Sequence, residues 1–286
     1  MQEMLHMLQA ANLLISVGGR PIIDSAASAP KYPTTGLPGG VLPNLDISLK
    51  KASLEHIYST LMAIEYPHKV VSSQYISENH SQTVGQLYYE IQKCLYFHGD
   101  SIFYPNRTWM QVKWPYSNNY GDVYIVHNLA TGLKAIDEIV EQGEGVQPGD
   151  PHGYVRHELA HFFKFQEIVC GRELIFHGVN NYSYTGDSLP FDDNGVWPMR
   201  DNPSGEGLTP NTRALKRTKI FHQTYRTLLR TLDKVFAGDP VGISEALGIM
   251  ESLGVQAKFL MALPLKDSEP HGKTCGLVFD YDWNVD

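Results

Sequence analysis

The 286-residue chain is poor in cysteine and has no long apolar run, and each absence excludes a class of protein. Its three cysteines, Cys94, Cys170 and Cys275, form no Cys-x-x-Cys pair and cannot all pair with one another, so we expect no disulfide framework. No apolar run is long enough to span a membrane. No basic start precedes an apolar stretch with a cleavage site, so we expect a cytoplasmic protein without a secretory signal.

The chain also lacks an excess of positive charge and several common catalytic motifs. Its formal net charge of -8 argues against a nucleic-acid backbone as a partner. Nothing resembles a phosphate-binding glycine loop or a Ser-His-Asp arrangement. One local basic run spans residues 213–226. We interpret it as a solvated helix face, although an anionic substrate could meet it, and we interpret His222 within it as a packing or surface residue.

Helical periodicity is what the sequence does contain. Apolar residues recur at helical spacing in most of the chain, and Thr83 is a good candidate cap. Helices are predicted from the start to about Ile15 and within residues 48–65, 83–97, 128–145, 153–171, 213–236 and 240–264. We therefore predict an all-α helical bundle that forms a single domain over residues 1–286, with extended loop segments at about 17–48 and 178–210.

Two Glu-x-x-His pairs carry the chemistry, Glu3 with His6 and Glu158 with His161. Residues three apart on a helix project to the same side, so each pair can offer a carboxylate and an imidazole to one metal. A four-helix bundle with two such pairs and one Glu from each remaining helix is the layout of di-iron and di-manganese carboxylate proteins. The pairs therefore predict a dinuclear site that holds two iron ions, with manganese as the second choice.

The single-Glu ligand has two candidates in the sequence. Glu144 lies four residues after Val140 and continues the predicted inward stripe of its helix, so it is favoured. Glu90 is the second choice, because it lies next to the apolar Ile91. Glu138 is interpreted as part of a solvated face.

A rival motif overlaps the second pair. His-Glu-Leu-Ala-His, residues 157–161, satisfies the zinc-peptidase pattern in which two histidines bind Zn²⁺ and the Glu acts as base. The residues that follow are Phe, Phe and Lys, without the Gly and His that would supply a third ligand in one such class. A zinc metallopeptidase is therefore the alternative function, and a non-catalytic metal-binding scaffold is the third.

Several ordered motifs together carry a family resemblance. They are EMLHMLQAANLLISVGGRP, LPGG, MAIEYP, TVGQLYYEI and EIVEQGEG, followed by the aromatic-rich run after His161. In this combination the chain resembles the ferritin-like family that includes the iminophenyl-pyruvate dimer synthases. The resemblance implies a di-iron-type oxidase, and in the synthases it implies oxidative coupling of two imines derived from an aromatic amino acid. We accordingly expect a small, aromatic organic substrate, with Phe162, Phe163 and Tyr88 as candidate pocket walls.

The resemblance also assigns ligands to individual positions. Glu3 and His6 match the Glu-x-x-His of the family's second bundle helix, His161 matches the histidine before the aromatic run, and Glu158 and Glu144 fit the remaining carboxylates. The family begins with a further helix that carries another Glu, and this sequence does not contain that helix. We therefore expect one open bundle wall that a second copy of the chain covers. Glu65, Glu245 and Glu251 are candidates for the missing ligand, and their spacing singles out none of them.

Overall fold

The computed structural model describes residues 2–67, 83–115, 121–144, 151–152, 159–178, 181–205, 208, 212–266 and 272–283, without the side chain of Glu144. Its α-helices are α1 Gln2–Ser16, α2 Leu54–His56, α3 Met62–Ile64, α4 Val84–His98, α5 Leu129–Ile139, α6 His161–Cys170, α7 Arg213–Phe236 and α8 Ile243–Met261. Two π-helical turns accompany them, at Ile57–Leu61 between α2 and α3 and at Val140–Glu144 after α5. Short 3-10 helices occupy Pro38–Gly40, Gly99–Ile102, Pro105–Met110, Asp193–Gly195 and Pro240–Gly242.

Most predicted helices are present, and side-chain caps fix several of their starts. Thr83 accepts from the amide of Gln86, whose side chain accepts from the amide of Thr83, so α4 begins with a full capping box. Asn128 and Thr131 form the equivalent box at α5. These reciprocal bonds satisfy amides that would otherwise lack partners at the helix start. The described residues contain no helix long and apolar enough to cross a membrane.

Helix α1 contributes to the main hydrophobic core. Leu8 and Ile15 are fully buried against α7 and α8, where Phe221 and Phe236 complete the cluster. A second cluster joins α4 and α5 through Leu95 and Ile136, and a third lies between the π-helical turn before α3 and helix α6. Because apolar side chains cover α1 along its length, its first turn is held in a fixed position for the polar residues that it carries.

A line of polar side chains on α1 binds two extended segments of the chain. Asn12 donates to the carbonyl of Val112 and accepts from the amide of the same residue. Gln9 donates to the carbonyl of Asp122 and accepts from the amide of Tyr124. These paired bonds satisfy backbone groups that have no strand or helix partner of their own, which is why Gln9 and Asn12 are fully buried.

The structure corrects the all-α prediction, because two small antiparallel hairpins are present. Strand β1 (Thr34–Leu37) pairs with β2 (Val41–Ile47), and β3 (Ile175–Gly178) pairs with β4 (Asn181–Ser183). The first hairpin lies in the segment predicted as an extended loop. It turns at Gly39 and Gly40, whose φ values of 78° and 77° favour glycine, and it buries Val41.

Helix α6 begins later than the sequence predicts. The predicted helix starts at residue 153, whereas the observed helix starts at His161. Leu159 forms an antiparallel bridge with His152, and Ala160 is extended with its amide bonded to the carbonyl of Pro151. Ala160 is therefore the N-cap of α6, and neither Leu159 nor Ala160 belongs to the helix.

Candidate metal centre

Three side chains from separate elements converge into one cluster. Glu3 comes from the first turn of α1, Glu65 follows the end of α3, and His161 is the first residue of α6. One ligand atom from each lies within 4.8 Å of the other two. Two carboxylates and an imidazole at this spacing form a donor set that suits a divalent transition metal.

His6 stands beside this cluster as a fourth candidate ligand. Its Nδ1 lies 3.5 Å from Oε2 of Glu3, one helical turn away, and its ring centroid lies 5.8 Å from that of His161. The side chain of His6 is 5% exposed whereas that of Glu3 is 63% exposed, so the cluster opens toward solvent on the Glu3 side. The structure thus brings together Glu3, His6 and His161, three of the sequence-predicted ligands.

Glu65 is the ligand that sequence reasoning did not single out. It lies immediately after the helix that contains the π-helical turn Ile57–Leu61, and such turns are frequent at functional sites. Its side chain is 12% exposed and its Oε1 lies 3.8 Å from Nδ1 of His161. Its Oε2 is buried and has no hydrogen-bond partner among the described residues. A buried carboxylate oxygen without a donor is costly, and a metal cation would offset that cost.

His161 holds the two carboxylates together in the metal-free protein. Its Nδ1 donates to Oε1 of Glu3 over 2.9 Å, and its Nε2 donates to Oε1 of Gln2 over 3.0 Å. Burial alone would lower the pKa of His161, but the hydrogen bond to Glu3 and the nearby carboxylate of Glu65 raise it to about 9. The imidazolium therefore supplies, at neutral pH, the positive charge that a metal ion would bring.

The same contacts shift Glu3 in the opposite direction. Its partial burial raises the pKa of the carboxyl, but the hydrogen bond from His161, with a smaller contribution from the nearby imidazole of His6, outweighs this effect and holds that pKa well below its ordinary value. Glu3 is therefore ionised at neutral pH. An ionised carboxylate is the form that binds a metal.

A buried chain of hydrogen bonds orients His6. Nε2 of Gln142 donates to Oε1 of Glu138 over 2.8 Å, and this bond turns Oε1 of Gln142 toward His6. Nε2 of His6 therefore donates to Gln142 over 3.0 Å, which places the proton of a neutral ring on Nε2 and leaves Nδ1 as the ligand atom toward Glu3. Such outer partners fix the tautomer of metal-ligating histidines. Glu138 is 5% exposed, so its prediction as a solvated residue is wrong.

Gly143 lies against the ring of His161. A Cβ atom on Gly143 would lie 2.5 Å from Nδ1 and 2.7 Å from Cγ of His161, closer than real side chains approach. Gly143 belongs to the π-helical turn Val140–Glu144, where its φ of 173° and ψ of -20° depart from helical values. Glycine is therefore the residue that lets α5 and α6 meet at the cluster.

The other predicted ligands have different outcomes. Glu90 is exposed on α4, where both of its carboxylate oxygens accept from Nζ of Lys93, and it is not part of the cluster. Its face of α4 points to solvent, so the apolar neighbour that favoured it did not indicate the inward side. The side chain of Glu144 and all of Glu158 and His157 lie outside the described residues.

The predicted pocket aromatics pack into hydrophobic clusters. Phe162 and Phe163 meet edge to face at 5.2 Å, and Phe162 contacts Tyr66 in the same way at 5.5 Å. Both phenylalanines are buried in the cluster beneath α6. Tyr88 packs against the separate α4–α5 cluster. Because both side chains are buried, we interpret Phe162 and Phe163 as packing residues that hold the start of α6, and with it His161, in place.

The sequence does contain a signal for the missed residues. Glu65 lies four residues after Leu61 and eight after Ile57, so it continues the apolar stripe of its helix. Gln142, in the π-helical turn that follows α5, lies four residues after the buried Glu138. A buried acidic or amide residue that continues an apolar stripe is the pattern that would have identified them.

Fold and site together define a largely helical protein with a carboxylate-imidazole centre among its helices. Residues 1–170 match the model of the ferritin-like family, so the chain belongs to that family. It is also similar in structure to a ferritin-like protein from Caulobacter vibrioides, with 18% identity, a TM-score of 0.52 and coverage of 88% of this chain and 79% of that one. At this identity the likeness shows the fold alone. The comparison with curated proteins gives no match.

Proposed function

We propose that this ferritin-like protein is a non-haem metal-dependent oxidase that acts on a small organic substrate, with iron as its metal. The observation that carries the proposal is the convergence of Glu3, Glu65 and His161 within 4.8 Å, with Oε2 of Glu65 buried beside them. Ferritin-like bundles commonly bind metal at facing carboxylates and histidines. The resemblance of the sequence motifs to iminophenyl-pyruvate dimer synthases supports an imine derived from an aromatic amino acid as the substrate.

The protein's own residues have distinct tasks in this proposal. Iron, when bound, supplies one-electron redox chemistry and a site for O₂. Glu65 and Glu3 offset its charge, and Nδ1 of His6 faces the centre because Gln142 holds the proton on the other nitrogen. His161 releases the proton on Nδ1 when it becomes a ligand. Glu3 lies on the solvent-exposed side, where substrate would approach.

Metal content per chain tests the proposal directly. Protein loaded with Fe²⁺ under anaerobic conditions is desalted and analysed for iron, as wild type and as Glu65→Gln, His161→Gln and Glu90→Gln. We expect about two irons per wild-type chain, as in other dinuclear bundles, and loss of at least about half in the first two variants. Glu90→Gln is the matched control, because it removes a charge of the same type outside the cluster, and it retains full iron content.

Three other results would contradict the proposal in different ways. If the wild-type protein bound no iron, the proposed iron centre would be refuted and the protein would be a helical bundle without iron. Full iron content in Glu65→Gln would remove Glu65 from the site. One zinc that depends on His161 and not on Glu65 would favour the peptidase alternative. Where iron binds as expected, O₂ consumption with phenylalanine- or tryptophan-derived imines tests the oxidase, and iron binding without it would indicate a metal-binding scaffold.

A further inference from the structure

A second candidate site lies outside the region that matches the ferritin-like family. A cavity of about 470 Å³ opens between α7 and the late segment that contains Tyr281, Asp282 and Trp283. This volume is typical of pockets for small molecules. None of its lining residues belongs to the candidate metal centre. The residues that matter most are Lys219, Gln223, Arg226, Arg230, Tyr281 and Trp283.

Specific contacts hold the late segment against α7 and shape the cavity wall. Nη1 of Arg226 donates to the carbonyl of Tyr281 over 2.6 Å, and its guanidinium lies 3.5 Å from the centroid of the Tyr281 ring. Nε2 of His222 donates to the carbonyl of Asp280 over 2.8 Å. The edge-to-face contact of His222 with Trp283, at 5.0 Å, places an indole ring on the same wall. The wall is therefore built from fixed aromatic and cationic groups.

The cations of this cavity are incompletely neutralised. Arg226 is paired with Asp24 at 3.3 Å, but Arg230 approaches the same carboxylate only to 3.8 Å and is 60% exposed. Asp282, also on the wall, is paired with Lys31 at 3.2 Å. Lys219 is half-buried and has no carboxylate partner within the described part of the chain. Among the described residues, the lining of the cavity therefore carries an excess of positive charge.

The periodicity of α7 directs these groups into one cavity. Lys219, Gln223, Arg226 and Arg230 follow one another at intervals of four, three and four residues, so they form one stripe along the helix. From Lys219 to Arg230 this stripe extends about 16 Å along the helix axis. Gln223 also lines the cavity, one helical turn from Lys219, and its side-chain amide makes no hydrogen bond to the residues that the structure describes.

We infer that this cavity binds a small organic anion that carries a phosphate or carboxylate group and a planar ring. Lys219 and Arg230 supply charge-assisted hydrogen bonds to the anionic group, which are stronger than neutral ones. Trp283 offers a flat surface for the ring. The basic run of residues 213–226 is thereby more than a solvated face, because part of it lines this cavity. This inference is independent of the proposed oxidase function.

Calorimetric titration of the full chain in EDTA tests the inference without interference from metal. The probes are adenosine monophosphate, adenosine, inorganic phosphate and benzoate. We expect one probe with both an anion and a ring to bind saturably, and more tightly than adenosine or phosphate. Tighter binding of adenosine monophosphate than of benzoate assigns a phosphate ligand, and the reverse order assigns a carboxylate ligand.

Charge variants locate the binding on α7. Lys219→Gln and Arg230→Gln each lower the affinity for the preferred probe by about tenfold, because each variant loses one charge-assisted hydrogen bond. Arg217→Gln is the control, because it makes the same charge change on the opposite side of the helix and outside the cavity. Equal weakening in the control would mean non-specific attraction and would overturn the inference. Failure of both anionic ring probes to saturate would overturn it as well.

Discussion

The imidazolium of His161 makes the stability of the metal-free protein depend on pH. Its folded-state pKa of about 9 lies above the ordinary value of 6.5 because the protonated ring donates a hydrogen bond to Glu3 and lies near the carboxylate of Glu65. A group with a raised pKa contributes stability that is fully present below its unfolded pKa and is lost as pH rises through its folded pKa. The contribution of His161 is therefore complete below about pH 6.5 and disappears between there and about pH 9.

The size of the effect follows from the pKa and from solvent exposure. One pKa unit corresponds to about 1.4 kcal/mol, so a rise from 6.5 to about 9 would correspond to about 3 kcal/mol in a dry site. The side chain of Glu3 is 63% exposed, and solvent screens its interaction with His161. We therefore expect about 1–2 kcal/mol.

Urea unfolding in EDTA measures this contribution. The wild type exceeds His161→Gln in free energy of unfolding at pH 6, and the gap between the two proteins shrinks by about 1–2 kcal/mol at pH 9.5. Glu90→Gln is the control, since its partner Lys93 stays charged in this range, and its gap to the wild type stays constant. A gap between wild type and His161→Gln that is the same at both pH values would refute the assignment of the proton to this carboxylate cluster.

Two further predictions concern metal binding. Fe²⁺ must displace the proton from Nδ1 of His161, so the apparent affinity for Fe²⁺ rises about tenfold per pH unit between pH 6 and 8 and levels off above about pH 9. Titration against a competing chelator measures this affinity, and an affinity that does not change with pH would mean that His161 is not a ligand. Gly143→Ala forces a methyl group to within 2.5 Å of the His161 ring, and it weakens iron binding by about 10- to 100-fold. Gly248→Ala, where a Cβ meets nothing within 4 Å, leaves the affinity unchanged.

The sequence predicts features whose cause is local. The period of apolar residues indicates α4 and α5, and the candidate cap at Thr83 marks the start of α4, because a helix start is decided by groups within one turn. The pairing of Glu3 with His6 follows from helical spacing for the same reason. The late start of α6 has a distant cause, because the amide of Ala160 is taken by the carbonyl of Pro151. No helical pattern in residues 153–171 encodes that bond.

The acidic residue that joins the cluster also depends on contacts that are distant in the sequence. Glu65 and Glu90 both lie on amphipathic helices beside apolar residues, so their local sequences are nearly equivalent. The first is buried against His161 and the second is paired with Lys93 in solvent. The rotation of each helix about its axis decides between these outcomes, and that rotation is set by packing against other helices.

By itself the sequence determined most of the helices, the cap at Thr83, the Glu3-His6 pair and the basic run on α7, because each depends on contacts within a few residues. Only the tertiary structure decided that Glu65 joins Glu3 and His161, that Gln142 orients His6, and that the late segment around Tyr281 closes a cavity over Arg226. Such contacts join residues far apart in the chain. Their positions follow from the packing of the whole fold, which no local pattern contains.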